Sequence, residues 1–333
     1  MSLFPTQYST LSAAALNAHL RSAYGLEGIT TKFLVRNVSD TYIIRDTEPR
    51  YVFKVFRSTH RTYAQLQGEV ALLLALKTGK GKVAAPIADQ SGDYIQAFEV
   101  GEGTRHGILY AYAEGKVHDD LTGRQLWVLG QEMAFNHNIT AELELPHPRP
   151  VYNVDTTVHQ PLEVLRPAFE AFNYPEGYAY LQEVGQTAVK TWEAYDTNAF
   201  SYGYCHYDYL PKNLHLKDLD LMTLFDFDFA GLGPLVNDLM SFQVHFFFKV
   251  TFGGMSKEQA AEDFQLFVST YRKSRAISEE ELATIPCLGV MYWIFYLAVH
   301  YEGFDDFSNP YFNQAFLKRW VRKVEQWVEL YGV

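Results

Sequence analysis

His206-Tyr207-Asp208-Tyr209-Leu210-Pro211-Lys212-Asn213, followed by Phe225-Asp226-Phe227-Asp228, brings together residue types that suit phosphoryl transfer. The run has the form H-x-D-x-x-x-x-N, then a strand-like stretch ending in an aspartate. In such chemistry one carboxylate accepts or orients the proton of an attacking hydroxyl. An amide oxygen and a second carboxylate then hold the magnesium that bridges the nucleotide phosphates. Asp208 fits the first role, and Asn213 with Asp226 the second. Mg²⁺ takes hard oxygen ligands and relies on one or two carboxylates plus phosphates, which this set supplies. A turn rich in Asp and Asn beside a surface hairpin would carry the same letters, so the motif needs support from elsewhere in the chain.

Support comes from a lysine and a glutamate upstream. Lys54 stands in Tyr51-Val52-Phe53-Lys54-Val55-Phe56, a strand whose alternate neighbours are apolar. Burying an unpaired lysine is costly, so a partner is expected. Glu69 is the sole acid in the helical stretch 59–78. A lysine–glutamate pair of this kind, ahead of the aspartate loop, is what holds the α and β phosphates in a kinase. The plainer alternative is a lysine snorkelling from an edge strand and an ordinary helix-face glutamate. Three parts in the right order weigh more than any one.

These residues need elements to carry them. A first helix capped by Ser9 or Thr10 runs to about Tyr24, with Gly25 as its stop. The period then switches to β: 30–38, 41–46 and 51–57 are β-branched and aromatic runs, and 94–99 and 107–112 are two more. Beyond Glu114-Gly115 the chain reads as helical at 125–138, 178–195, 236–249, 257–275, 279–301 and 310–331. The Pro- and His-bearing segment 146–162 reads as a long loop, and 213–217 with 221–226 as one hairpin. Leu288–Val299 is too short to span a bilayer, which takes about 20 apolar residues, so a buried helix is expected. Gly79-Lys80-Gly81-Lys82 lacks the G-x-x-x-x-G-K-[ST] form of a phosphate loop.

The 333 residues carry 28 Lys plus Arg against 39 Asp plus Glu, a formal charge of −11. That balance argues against nucleic acid or an anionic membrane as partner, since both reward basic patches. Two cysteines, Cys205 and Cys287, are too few for a disulfide framework and point to a reducing compartment. With no signal-peptide pattern at the start of the chain, the expected location is cytoplasmic.

In motif order, residues 27–248 resemble the aminoglycoside phosphotransferase and choline kinase-like family, which shares the protein-kinase-like fold. The resemblance rests on His206-Tyr207-Asp208, Asn213, Phe225-Asp226-Phe227-Asp228, Gly233-Pro234 and Asp238-Leu239, and is closest to the homoserine kinase-like branch. It implies an α+β, bilobal fold, with a small antiparallel sheet lobe (1–113) binding nucleotide and a larger helical lobe (114–333) holding the catalytic loop and acceptor pocket. It implies ATP and Mg²⁺ as cofactors, with Asp208 the catalytic base and Asn213 and Asp226 metal ligands. Asp228 is an accessory metal group or a turn former. Lys54 is the phosphate ligand braced by Glu69, and Tyr110-Ala111-Tyr112-Ala113 resembles the hinge that holds adenine. His206 and Asp238 orient the loop.

The chain also departs from related patterns. No glycine-rich loop precedes Lys54; the corresponding turn is 36–41, where Ser39 or Thr41 would meet the phosphates. Tyr207, Leu210 and Asp228 replace residues typical of protein kinases, which favours a small-molecule hydroxyl acceptor over regulated protein phosphorylation. A Ser/Thr protein kinase of the same superfamily and a nucleotide-binding pseudokinase scaffold are the alternatives.

Residues 1–115 hold 12 basic and 10 acidic side chains, residues 116–333 hold 16 and 29, so the excess acid lies in the helical part. This suits an amine-bearing acceptor or plain solubility charge. Trp293, His300, Glu302 and Asp305, with Asp306, are the candidate acceptor contacts, because aromatics beside acids can hold a cation.

Overall fold

A computed structural model describes residues 6, 8–218, 221–303 and 312–333. The chain divides into two units: 1–114 with 145–148 and 303–308, and 115–144 with 149–302 and 309–333.

In the first unit α1 (Ala13–Tyr24) precedes strands β1 (Thr30–Arg36), β2 (Ser39–Arg45) and β3 (Pro49–Phe56). Helix α2 (Tyr63–Thr78) follows, then β4 (Ile95–Val100) and β5 (Gly103–Ala111). The strands form one antiparallel sheet in the order β1-β2-β3-β5-β4. Alternation puts Tyr42, Ile44, Phe53 and Val55 on one face, where they bury against Leu16 and Leu20 of α1. Lys54, between Phe53 and Val55, therefore points to the other face. Ser12, rather than Ser9 or Thr10, caps α1. Ser9 and Thr10 are drawn elsewhere: Ser9 bonds Glu102 through its amide and hydroxyl, and Arg36 donates to the Thr10 hydroxyl.

The second unit contains α3 (Gly123–Thr140), α4 (Gln160–Ala171), α5 (Pro175–Glu193), β6 (Tyr202–Cys205), β7 (Leu214–Lys217), β8 (Leu221–Leu224) and β9 (Gly231–Pro234). It continues with α6 (Val236–Phe252), α7 (Lys257–Tyr271), α8 (Glu279–Ala283), α9 (Ile285–Glu302) and α10 (Gln314–Tyr331). Helices α6 and α9 are the core, buried on nearly every side. The expected loop over 146–162 ends early: a π-turn at Asp155–His159 leads into α4. Pro161 and Pro167 hid this helix in the sequence, although proline is tolerated in a first turn. The stretch read as one helix over 279–301 is two, because Pro286 follows the break at Thr284 and lacks the amide to continue the ladder. Among the described residues no helix is long and apolar enough to cross a membrane.

One core histidine links packing to pH. His245 of α6 is buried beside Phe242 and Phe246. Burial, helped by the Lys249 charge one turn on, pushes its pKa down to about 4, against the pull of Asp119 and Asp120. The folded state therefore favours the neutral ring. Its contribution is full above the unfolded value near 6.5 and is lost as pH falls through about 4, a span of about 3 kcal/mol. His245→Gln is expected to flatten acid unfolding between pH 6.5 and 4. Urea melts across that range check this; equal pH slopes for the two proteins would refute it.

Candidate active site

In the second unit two short sheets, β6 with β9 and β7 with β8, leave residues 206–213 as the link between β6 and β7. This link has no ladder of its own, so its amides need other acceptors. Asp238, in the first turn of α6, supplies two: Oδ2 accepts from the His206 amide at 2.9 Å and Oδ1 from the Tyr207 amide at 2.7 Å. The same Oδ2 lies 3.0 Å from Nε2 of His137, whose Nδ1 is 2.8 Å from the Tyr271 hydroxyl. The Tyr209 amide donates to Ser241 Oγ at 3.0 Å, and the Asp208 amide to Nδ1 of His206 at 3.3 Å. Since Nδ1 accepts, the His206 proton sits on Nε2, which donates to the Phe225 carbonyl at 3.0 Å. His206 and Asp238 thus hold the loop. His137, Ser241 and Tyr271 join them from distant helices, which spacing in the sequence does not disclose.

Asp208 is 4% exposed, and its two oxygens differ. Oδ2 accepts from Asn213 Nδ2 at 2.7 Å and sits 2.9 Å from Lys212 Nζ. Oδ1 faces the Tyr292 hydroxyl at 3.5 Å, at the limit of a hydrogen bond. Burial and then the Asp208 charge push the Tyr292 hydroxyl pKa well up, so it stays protonated. Sequence reasoning missed both neighbours. The signal for Lys212 was its place next to Asn213: the single 3₁₀ turn Pro211–Asn213 brings the lysine back over the aspartate.

Asn213 also donates to the Asp208 carbonyl at 2.9 Å. Its amide nitrogen is therefore committed, and Oδ1 is the atom it can offer a cation. The Phe225 amide donates to the Asn213 carbonyl at 2.9 Å, which puts Asp226 at the same end of the β7–β8 hairpin. Strand β8 stops at Leu224. Asp226 is left-handed at φ 66°, and Asp228 is buried in the 3₁₀ turn Phe227–Phe229. Past Leu224 a turn rather than a strand therefore carries the two aspartates. One amide oxygen and a neighbouring carboxylate are a hard donor set that fits Mg²⁺ sharing phosphate ligands.

In the first unit Lys54 lies opposite Thr41 of β2 and Ile108 of β5. Glu69 is 1% exposed and accepts from the Tyr110 hydroxyl at 2.6 Å. Tyr110 thus contributes through its side chain to holding Glu69. The Ala111 amide donates to Ala85 and the Tyr112 amide to Arg50, while Ala113 is buried. Ser39 is buried at the start of β2. Beside it Asp40 is paired with Arg36 at 2.7 Å and Arg105 at 2.9 Å, which pins the 36–41 turn.

The candidate acceptor contacts scatter. Trp293 is buried in the core against Phe247, Trp320 and Trp327. His300 bonds the Tyr296 carbonyl and packs at a tilt against the Trp320 ring, and Glu302 is exposed at the end of α9. Asp305 and Asp306 lie outside the described residues. Cys205 and Cys287 are unpaired and buried, and burial raises both thiol pKa values, Cys287 to about 12.

Comparison with known proteins bears on the fold and the family. Over 330 residues the chain is 26% identical to an uncharacterized protein of Deinococcus radiodurans, covering 99% of this chain and 94% of that one. It is also 26% identical to an uncharacterized protein of Synechocystis, covering 97% and 87%. Among solved structures it is similar to the amicoumacin kinase hAmiN in complex with AMP-PNP, Ca²⁺ and Ami, at 18% identity and TM-score 0.76, covering 95% and 93%. A microcompartment-associated aminopropanol kinase matches at 17% and 0.72, covering 94% and 95%. These likenesses establish the kinase-like fold. The sequence model of the phosphotransferase enzyme family, APH, matches residues 30–276, nearly three quarters of the chain, and the protein belongs to that family.

Proposed function

We propose that the protein is a magnesium-dependent kinase that moves the γ-phosphate of ATP onto the hydroxyl of a small, amine-bearing molecule. The observation that carries this reading is the asymmetry of Asp208. Asn213 and Lys212 occupy Oδ2, so Oδ1 is the oxygen left to take the acceptor's proton. Asn213 Oδ1 and Asp226 would hold the metal, with Asp228 beside them, and Lys54 with Glu69 would hold the nucleotide phosphates. The bound metal would neutralise charge building on the β and γ oxygens. Lys212 would add positive charge where the transferring group passes. The amine preference is supported by the acid excess of residues 116–333. The two buried, unpaired thiols suit a reducing compartment such as the cytoplasm.

Magnesium-dependent ATP turnover across amino alcohols, aminoglycosides, other amines and uncharged alcohols tests the reading. Transfer to an amine-bearing hydroxyl, with the phosphorylated product seen by mass spectrometry, is the expected result. Nucleotide binding without turnover on any acceptor would favour a scaffold. Phosphorylation of proteins alone would favour a protein kinase. Lys212→Met is expected to lower kcat by about 10–100-fold with little change in acceptor KM, as for a lost charge contact in the transition state. An unchanged kcat would remove Lys212 from the mechanism.

A further inference from the structure

The short segment Arg149–Tyr152, ahead of the π-turn, makes an unusual set of contacts with the turn after Asp226. Arg149 is 5% exposed. Its Nε donates to the Ala230 carbonyl at 2.8 Å, and its Nη2 to those of Phe227 at 2.7 Å and Asp228 at 3.1 Å. The Tyr152 hydroxyl donates to the Phe229 carbonyl. Two side chains therefore engage four consecutive carbonyls, 227 to 230. Only a planar fork of donors spans such a row, which explains arginine rather than lysine. The backbones also pair: the Tyr152 amide donates to Leu232 and the Leu232 amide to Pro150, both at 2.8 Å. Gly231 permits this approach, since a Cβ there would fall 2.5 Å from the Pro150 carbonyl oxygen and 2.7 Å from the Tyr152 ring.

The other side of Tyr152 meets the catalytic loop. Its ring stacks on that of Tyr207, with centroids 3.5 Å apart and planes 8° apart. Tyr207 at φ 63° and Asp226 at φ 66° are both left-handed without being glycine. Such residues cost about 1–2 kcal/mol each and persist where surrounding contacts fix them. Tyr207 immediately precedes Asp208, and Asp226 immediately precedes the braced turn.

We propose that Arg149 and Tyr152 are positioning residues that hold the Asp226–Asp228 turn in its metal-binding shape and tie it to the loop bearing Asp208. This rests on the reading above that the turn serves a nucleotide-bound cation. Tyr152 couples the two segments through its two ends: the hydroxyl fixes the turn and the ring fixes Tyr207. The two functions separate by substitution. Tyr152→Phe loses the bond to Phe229 and keeps the stack, while Tyr152→Leu loses both.

The test uses the full chain with Mn²⁺ and AMP-PNP, following bound Mn²⁺ by electron paramagnetic resonance, with Asp226→Ala as control and thermal melting in EDTA as the check on folding. Tyr152→Phe and Arg149→Lys are expected to weaken Mn²⁺ binding by about 10-fold or more, as for other residues that orient metal ligands. Their melting without metal is expected to stay close to wild type. Saturating metal should restore kcat in Tyr152→Phe but not in Tyr152→Leu, where the catalytic loop is also released. Gly231→Ala should weaken Mn²⁺ binding in the same way by pushing the segment off. Wild-type Mn²⁺ affinity in both Tyr152→Phe and Arg149→Lys would overturn the brace while leaving the metal reading intact. Failure of the wild-type protein to bind Mn²⁺, or undiminished binding by Asp226→Ala, would overturn the metal reading of the turn itself and the brace with it.

Discussion

Asp208→Ala is expected to lower turnover by about 10²–10⁴-fold, the usual worth of a positioned general base, while nucleotide affinity stays within a few-fold of wild type. Asp208 is buried, yet the Tyr292 hydroxyl meets its Oδ1 only at 3.5 Å, the long limit of a hydrogen bond, so a stronger donor can take that oxygen. Removing the carboxylate takes away the proposed destination of the proton and frees Lys212, which is 61% exposed and can return to solvent. Asn213 keeps its bond to the residue 208 carbonyl, so the proposed metal ligand stays in place. That is why binding should survive where turnover does not. Asp208→Asn should behave similarly, because an amide preserves the shape but accepts no proton at neutral pH. Steady-state kinetics with nucleotide titration calorimetry checks the separation. Activity near wild type in either variant would eliminate Asp208 as the base.

Asp238→Ala is expected to be the most damaging single change to the fold of the second unit. One carboxylate, 2% exposed, accepts from two loop amides and from the His137 ring. Alanine leaves all three donors buried and unmatched, a loss of about 3–5 kcal/mol. Whole domains are stable by about 5–15 kcal/mol, so this is a large share. For a unit of this size it corresponds to a fall in Tm of roughly 10 °C. Asp238→Asn should be nearly as harmful, because an amide nitrogen would have to face an N–H donor. Activity should drop with the fold, since the His206 and Tyr207 amides set the direction of Asp208. Calorimetric melting measures the effect; a Tm within 2 °C of wild type would show that water or neighbouring groups replace the carboxylate.

Much of this was legible in the sequence because it is local. H-x-D-x-x-x-x-N spans eight residues, and the strand alternation around Lys54 fixes its face without reference to any other element. The buried α9 was readable from its continuous apolar run. What escaped depends on partners far apart in the chain. Ser241 of α6 reaches the loop directly, His137 of α3 and Tyr271 at the end of α7 act on it through Asp238, and the pairing of β6 with β9 joins segments too short to show a period. Lys212 escaped because it stands four residues beyond Asp208, and only the single 3₁₀ turn Pro211–Asn213 brings it near. Helix α4 was hidden by its two prolines. Arg149 and Tyr152 lay in a segment expected to be loop, and no residue type announces that a guanidinium will face carbonyls 78–81 positions away. Trp293 shows the opposite error: an aromatic beside acids in sequence packs inward among other tryptophans.

The anchoring of the 206–210 amides also bears on when this region can order during synthesis. The acceptors of the 206, 207 and 209 amides come from residues 238 and 241, and Asp238 is steadied in turn by His137 and Tyr271. A nascent chain that has exposed only the first 230 residues holds the whole motif but lacks Asp238 and Ser241, the acceptors of these three amides. Domains fold largely as units when their contacts are complete. Amide protection at 206, 207 and 209 therefore reports the docking of α6, and the motif is fully anchored only after the helices that follow it have emerged.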